Sequence, residues 1–470
     1  MNLKLPILLI ALFFGIAGVS EIKSQRADTL HLDLNTALKI ALSESPTVRI
    51  AEREIRRVDY SQRSAWNNVL PNLSASGQYA HFLMPQTMNL AGMIVDLPTT
   101  FNAQVGLNLS LPLFAPGLWH SIRMTELDMQ LAVERALASR VTLRSDVSRA
   151  FYGVLLAQDS HASLLETFEL ARESYEQARK RYELGLGSEF DAISAQVQMR
   201  NLEPTILEVE MGIDQTITML KILMGLDIAQ PVAIVGSLAD YADNMISSNQ
   251  FLNLSMDFNS DLRQLDIQQQ QLHRALQLQR SQRLPTLAGF ASFGYAGTGT
   301  RESEPLFAFE IPGMSEILDV LGLPPLPPPA PQPARRDWFS QGFIAGVQLN
   351  IPITGIFTNR SNERQTAMQI QMLDIQRESL QQSLSLQVQT ALNNMDRAMQ
   401  QAEATRANQY MAQRGYEIAL KRYEVGAGAF IETQSALQAL TQARIAYHQA
   451  IANYLNSKID LERTLGYSIR

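Results

Sequence analysis

The sequence predicts a chain of mixed α and β structure in which one architectural unit is written twice, amphipathic strands alternating with very long helices. Three observations predict it. The second half repeats motifs of the first, four stretches alternate apolar with polar residues, and residues 117–183 contain no proline and only Gly117 and Gly153 as glycines.

The duplication sets the frame, because a missed repeat mis-assigns a fold. Residues 175–191 (YEQARKRYELGLGSEFD) align without a gap on 416–432 (YEIALKRYEVGAGAFIE), Tyr175 falling on Tyr416 at an offset of 241. The same offset carries Gly225 onto Gly466. Upstream, GLNLSLPLF (106–114) matches GVQLNIPIT (346–354), Gly106 falling on Gly346 at an offset of 240. Leu70-Pro71 matches Leu284-Pro285 at an offset of 214, so about 26 residues are extra in the second half. They fall between Tyr295 and Trp338, around PPLPPPAPQP (324–333). Such a stretch favours extended polyproline conformations and reads as an exposed loop.

Each half then follows one order: helix, strand, loop, strand, long helix, helix. A first helix is expected over roughly 34–67, with Leu34, Leu38 and Leu42 in register and Pro71 closing it. Its counterpart covers 257–283 and ends before Pro285. Between the helices the period switches to two. Phe101, Ala103, Val105, Leu107, Leu109, Leu111 and Leu113 alternate with Asn102, Gln104, Gly106, Asn108 and Ser110. Phe343, Ala345, Val347, Leu349, Ile351 and Ile353 form the matching apolar set, while 72–82 and 286–296 alternate less cleanly. Strands with one apolar and one polar face fit hairpins on a soluble core or barrel strands between lipid and water equally well. The long helix decides between them. At 1.5 Å per residue it is a rod of roughly 100 Å, which no compact domain requires. Its last part carries a seam at Leu164, Phe168, Ala171, Tyr175, Ala178 and Tyr182, stepping four and three as in a coiled coil. The final helix has a similar seam at Leu440, Tyr447, Ile451, Tyr454, Leu461 and Leu465.

Composition excludes several functions. A formal net charge of −7 without a basic stripe argues against nucleic acid. The absence of cysteine removes disulfides, thiolate metal sites and a thiol nucleophile. The six histidines (31, 81, 120, 161, 273, 448) make no metal pair or triad spacing, and neither a phosphate loop nor a dinucleotide fingerprint is present. No catalytic, cofactor or metal site is expected, and an enzyme is set aside. Residues 1–20 read as an export signal: Lys4, an apolar run from Leu5 to Val19, and small residues Gly18 and Ser20 before Glu21. An uncleaved anchor is the alternative. After Glu21 no run of 18 apolar residues follows. The expected organisation is a signal at 1–20, a first repeat at 21–256 and a second at 257–470.

The turns that join the long helices to their partners are the candidate functional elements. Gly185 and Gly426 suit the left-handed residue that ends a helix. Asp191 and Glu432 fall in the first turn of the next helix, where a carboxylate is favoured. On composition alone these are good helix caps.

Taken together, the duplicated turns RYELGLGSEFD (181–191) and RYEVGAGAFIE (422–432), the strand ends LSLPLF (109–114) and LNIPIT (349–354), and the opening LDLNTALKIALSESPTVRIAEREI (32–55) resemble the TolC-like outer-membrane efflux protein family. The resemblance covers nearly all of the chain after residue 20. It implies an α+β membrane protein: a homotrimer whose protomers each give four strands to a transmembrane β-barrel, continued by a long periplasmic α-helical barrel. Four strands cannot close a barrel alone, and open edges are not tolerated in lipid, so the strand count also asks for more than one copy. The implied function is the outer-membrane exit duct of a tripartite efflux or type I secretion system. It would conduct substrates passively from a periplasmic adaptor and an inner-membrane pump. A periplasmic coiled-coil adaptor or structural protein is the alternative; it should have the helices without the lipid-type strands.

The resemblance also assigns residues. Arg181, Tyr182, Gly185, Gly187, Asp191, Arg422, Tyr423, Gly426, Gly428 and Glu432 would form the periplasmic entrance and the surface an adaptor grips. Pro71, Pro112, Pro285 and Pro352 would mark the junction of barrel and tunnel, where proline ends one hydrogen-bond pattern before the next begins. Asp191 and Tyr423 match positions that link neighbouring protomers in the closed state of relatives. This chain departs from the pattern at Gly428, where relatives carry an arginine, and at Ser435, where they carry an acid. An acidic ring at the entrance would therefore rest on Glu432 alone, favouring cations.

Overall fold

The computed structural model describes residues 29–84, 86–90, 93–97, 99–247, 251, 259–300, 339–353 and 355–466. The expected signal and most of the expected proline-rich loop lie outside these residues.

The element order is β1 (Leu30–Leu32), α1 (Leu34–Glu44), α2 (Pro46–Asn67), β2 (Asn72–His81), β3 (Gln86–Leu90), β4 (Met93–Leu97) and β5 (Thr99–Phe114). There follow α3 (Pro116–Glu183), α4 (Glu189–Met224), β6 (Val232–Ile234) and α5 (Ala239–Ala242). The second half has α6 (Ser260–Ser281), β7 (Thr286–Thr300), β8 (Phe339–Asn350), α7 (Gly355–Glu424) and α8 (Phe430–Leu465). The duplication is visible in the lengths: α3 and α7 have 68 and 70 residues, and α4 and α8 have 36 each. Gly225 and Gly466 both follow their helices with positive φ, 75° and 81°.

Two sequence expectations need correction here. The helix expected over 34–67 is two helices. Proline lacks an N–H and crowds the residue before it, and Ser45 accordingly leaves the helical region at φ −55°, ψ 135° before α2 starts at Pro46. The loop expected between the first two strands contains the antiparallel hairpin β3–β4, Gln86 opposite Leu97. The short strands β1 and β6, paired in parallel from Leu30 with Val232 to Leu32 with Ile234, were not anticipated either; three residues are too few to show a period.

The chain forms two compact units, each drawing on both halves of the sequence. One comprises the described parts of Met1–Pro46, Leu143–Gln250 and Asn393–Ile459. In it β1, β6, α1 and α5 gather on the helices. Asp33 caps α1 by accepting from the Thr36 N–H at 3.2 Å, and Ala37 and Ala41 are buried. Tyr454, almost fully buried, accepts from the Ile246 N–H at 2.7 Å and donates to its carbonyl at 3.1 Å.

The seams are real, but one is shifted. Leu440, Ile451, Tyr454, Leu461 and Leu465 are buried and Tyr447 half-buried, as expected. In α3, however, the buried register is Leu164, Thr167, Ala171, Ser174 and Ala178, while Phe168 and Tyr175 are half-buried and Tyr182 is exposed. Thr167 and Ser174 are polar and stand outside the apolar seam that the sequence predicts. Each satisfies its hydroxyl on its own helix, donating to Ser163 O at 2.8 Å and Leu170 O at 2.9 Å. They can therefore occupy a close-packed seam at little polar cost.

The other unit comprises the described parts of Thr47–Thr142, Phe251–Leu392 and Asp460–Arg470. Its sheet is antiparallel with strand order β2-β5-β7-β8. The register lines up like with like. Ala75, Leu107, Phe293 and Phe343 form one cross-strand row, and Leu73, Leu109, Ala291 and Ala345 the next on the same face. The opposite face carries Ser74, Asn108 and Ser292 in one row, which ends on β8 at the exposed Ile344. Asn108 donates to Ser76 Oγ and accepts from Ser292 Oγ, both at 3.0 Å. In the same unit, Asn259 caps α6 and donates to Thr464 O at 2.9 Å, while the buried Glu134 accepts from Ser260 Oγ at 2.9 Å.

Candidate functional site

The paired turns fold by one recipe. After α3, the Gly185 N–H donates to Tyr182 O and the Leu186 N–H to Arg181 O, at 2.9 and 2.7 Å. After α7, Gly426 donates to Tyr423 O and Ala427 to Arg422 O, at 3.0 and 2.8 Å. Both are Schellman closures, which need a left-handed residue after the helix. Gly185 and Gly426 supply it at φ 71° and 77°. The second glycines have a different reason. A Cβ on Gly187 would stand 3.1 Å from Arg181 Cβ, and one on Gly428 at 3.1 Å from Arg422 Cβ, because the chain doubles back against the helix end. Ser188 then caps α4 by accepting from the Phe190 N–H at 3.1 Å, with Asp191 in its first turn; Glu432 holds the matching place in α8.

The side chains break this symmetry. Arg181 reaches across to the second turn. Its Nη1 donates to Glu424 O at 2.9 Å, its Nη2 to Leu186 O at 3.5 Å, and its guanidinium lies 5.1 Å above the Tyr423 ring. Arg422 stays at home. Its Nη2 donates to Ala427 O at 3.3 Å and its Nη1 lies 3.4 Å from Glu432 Oε2. Tyr423 is 5% exposed and packs on Phe430, ring centroids 5.4 Å apart, in a cluster with Ala178, Ala192 and Ala195; its counterpart Tyr182 is 45% exposed. Burial raises the Tyr423 pKa, the nearby Asp191 charge adds to this, and Arg181 opposes it. The Tyr423 hydroxyl is buried and makes no hydrogen bond among the described residues. Arg181, Asp191 and Tyr423 are thus gathered in one chain around one cation–π contact, an arrangement invisible in the sequence because the two turns are identical in type.

Of the four prolines, Pro71 and Pro285 stand just before β2 and β7, and Pro352 just after β8, as expected. Pro112 does not end its strand. β5 runs on to Phe114, with a register shift between Pro112 and Phe114. The pairing with β2 stops at Ser110, so beyond it β5 is paired on one side only, and a residue without an N–H can be accommodated there.

Sequence reasoning also missed a buried polar cluster around His448. Its Nε2 lies 3.2 Å from Ser163 Oγ and its Nδ1 4.0 Å from Asp159 Oδ2. Asp159 accepts from the Leu238 N–H at 2.8 Å and from Ser237 Oγ at 3.1 Å. One helical turn earlier, Arg444 donates through Nη2 to Glu166 and Gln413, both at 2.9 Å. Burial lowers the His448 pKa, and the Arg444 charge lowers it further against the pull of Asp159. Serine and aspartate on separate segments gave no spacing to recognise.

Comparison with known proteins decides the family. The model of the outer membrane efflux protein family matches residues 37–226 and 252–467. The chain belongs to this family. The match takes in both paired turns, the four long strands and both rods. Family membership, rather than any empty site, is what speaks for a transport channel and against an enzyme. Among solved structures, the CmeC outer membrane channel of Campylobacter jejuni superposes with a TM-score of 0.69 at 16% identity, covering 99% of this chain and 94% of that one. VceC, an outer membrane protein of Vibrio cholerae, gives 0.67 at 14%, covering 93% and 97%. The open state of the MtrE outer membrane channel of Neisseria gonorrhoeae gives 0.65 at 16%, covering 92% and 89%. At these identities the likeness is one of fold. No curated protein sequence matches the chain.

Proposed function

We propose that this outer membrane efflux protein is one protomer of a homotrimeric exit duct, passively conducting substrates delivered by a periplasmic adaptor and an inner-membrane pump. The observation that carries the reading is the sheet. Its apolar face runs across four strands, and among the described residues nothing covers it: Leu73, Tyr79, Val105, Phe343 and Val347 are each more than 60% exposed. An exposed apolar surface of this kind marks contact with lipid or protein. Moving each such side chain out of water contributes about 1.5–3 kcal/mol. Among the described residues, β2 and β8 are each paired on one side only. Since lipid leaves no unpaired edge unpenalised, the missing partners are the edge strands of other copies. The polar face, with its Ser–Asn–Ser ladder, then lines water. A periplasmic adaptor would share the rods but has no use for such a sheet.

In this reading Arg181, Tyr182, Gly185, Gly187, Asp191, Arg422, Tyr423, Gly426, Gly428 and Glu432 form the periplasmic entrance and the adaptor-binding surface. Pro71, Pro112, Pro285 and Pro352 mark the junction of barrel and tunnel. A channel without an energy source opens only when a partner binds its open state better than its closed one. Reconstitution into planar bilayers tests both levels. The wild-type protein should give discrete conductance steps; a silent membrane containing correctly inserted protein contradicts the channel. Asp191→Ala combined with Tyr423→Phe should raise single-channel conductance with assembly unchanged. Conductance equal to wild type would remove these two residues from the latch and leave the channel standing.

A further inference from the structure

Resting on the reading that copies of this chain close into a ring, we propose that Arg422 is the inter-subunit counterpart of Arg181. In the ring its guanidinium lies over the Tyr182 ring of the partner subunit, and its Nη1 donates to the Glu183 carbonyl of the partner subunit.

The argument is the duplication applied to the contacts. The offset of 241 places Arg422 on Arg181, Tyr423 on Tyr182, Glu424 on Glu183 and Ala427 on Leu186. Each arginine makes the same own-turn contact through Nη2, to Leu186 O for Arg181 and to Ala427 O for Arg422. They differ in the other nitrogen. Arg181 Nη1 reaches the Glu424 carbonyl of the second turn. Arg422 has no third turn in its own chain to reach, and its Nη1 rests 3.4 Å from Glu432 instead. That ion pair is half exposed on both sides, so solvent screens it and it is cheap to exchange. The acceptor side shows the same gap. Tyr423 is buried beneath Arg181, whereas Tyr182 stands open. A ring built head to tail from duplicated chains must set each second repeat against the next copy's first repeat. An exchangeable donor and an exposed ring belong to the two faces that meet there. Neighbouring positions agree: Gln177, which donates to Glu424 Oε1 at 3.3 Å, has Ile418 as counterpart, exposed and apolar as a subunit contact requires. The turns are thus held by arginine–tyrosine contacts of one design, alternately within and between chains.

The absence of native cysteine makes the test clean. Tyr182→Cys with Arg422→Cys, treated with a short bismaleimide, should give covalent dimers and trimers on a denaturing gel. The internal pair Arg181→Cys with Tyr423→Cys should cross-link within one chain and still run as a monomer. Native mass spectrometry of the same samples separates the two levels of the argument. Trimers in which the internal pair links but the 182/422 pair does not overturn this proposal alone. A wild-type protein that is monomeric overturns the ring on which it rests. As a second measurement, Arg422→Ala should lower the temperature at which trimers dissociate in detergent, and Arg422→Lys, which keeps charge but not the planar fork, should restore little of it. An unchanged dissociation temperature for Arg422→Ala also contradicts the proposal.

Discussion

At the residue scale, the paired turns show how two glycines with one spacing answer two separate demands. Gly426 supplies a left-handed backbone, and Gly428 supplies room beside Arg422. Gly426→Ala should therefore cost about 1–2 kcal/mol, the usual penalty for an L side chain in that region. Gly426→Asn should cost less, because asparagine tolerates it. The melting temperature of the detergent-solubilised protein, followed by circular dichroism, ranks the two; equal losses would show that space and not backbone sets the requirement. His448 gives a pH-dependent prediction. Its pKa is lowered in the fold from an ordinary 6.5, chiefly by burial. On acidification the unfolded chain takes up the proton first, so stability is full above about pH 6.5 and declines as pH falls towards the native value. His448→Gln should flatten that decline, read from denaturation midpoints across this range; an unchanged slope would assign it to other groups. The glycines of the turns were legible in the sequence, since left-handed caps have a residue signature. The Arg181–Tyr423 contact and the His448 cluster were not, because they join segments far apart in the chain through side chains of ordinary type.

At the scale of elements, periodicity carried most of the reading. The strand at 101–113 alternates strictly and is found as β5, that at 343–353 is found as β8 up to Asn350, with Ile351 and Ile353 beyond its end, and the proline-free stretch is found as α3. What failed was local. The helix break at Ser45-Pro46 hides inside a continuous apolar pattern, and the α3 seam runs through Thr167 and Ser174, whose hydroxyls bond back to their own helix. The hairpin β3–β4 shows that the shorter loop of the first half has structure of its own. Its partner in the second half is longer by an insertion with no counterpart. The strands bounding that insertion are firmly paired, Gly297 with Phe339 and Gly299 with Phe101, so those residues should be spared. Shortening within 301–338 should leave assembly and transport largely intact, measured by trimer yield and by drug or dye efflux in cells. Loss of trimers would show that the insertion holds the assembly together.

At the scale of the whole molecule, the duplication, the two rods and the amphipathic sheet require one another. In the proposed duct a duplicated chain would contribute two matching segments to a ring, the long helices would line its tube, and strands with one apolar face would meet lipid. Among the described residues the sheet exposes its apolar face and leaves two edges unpaired, Tyr182 stands exposed at its turn, and Arg422 keeps a half-exposed ion pair with Glu432. The proposed assembly of copies would resolve all three at once, which makes subunit number the most direct test of the account. Native mass spectrometry of the protein extracted in mild detergent should give a stable trimer and no appreciable monomer; a stable, folded monomer under the same conditions would contradict it.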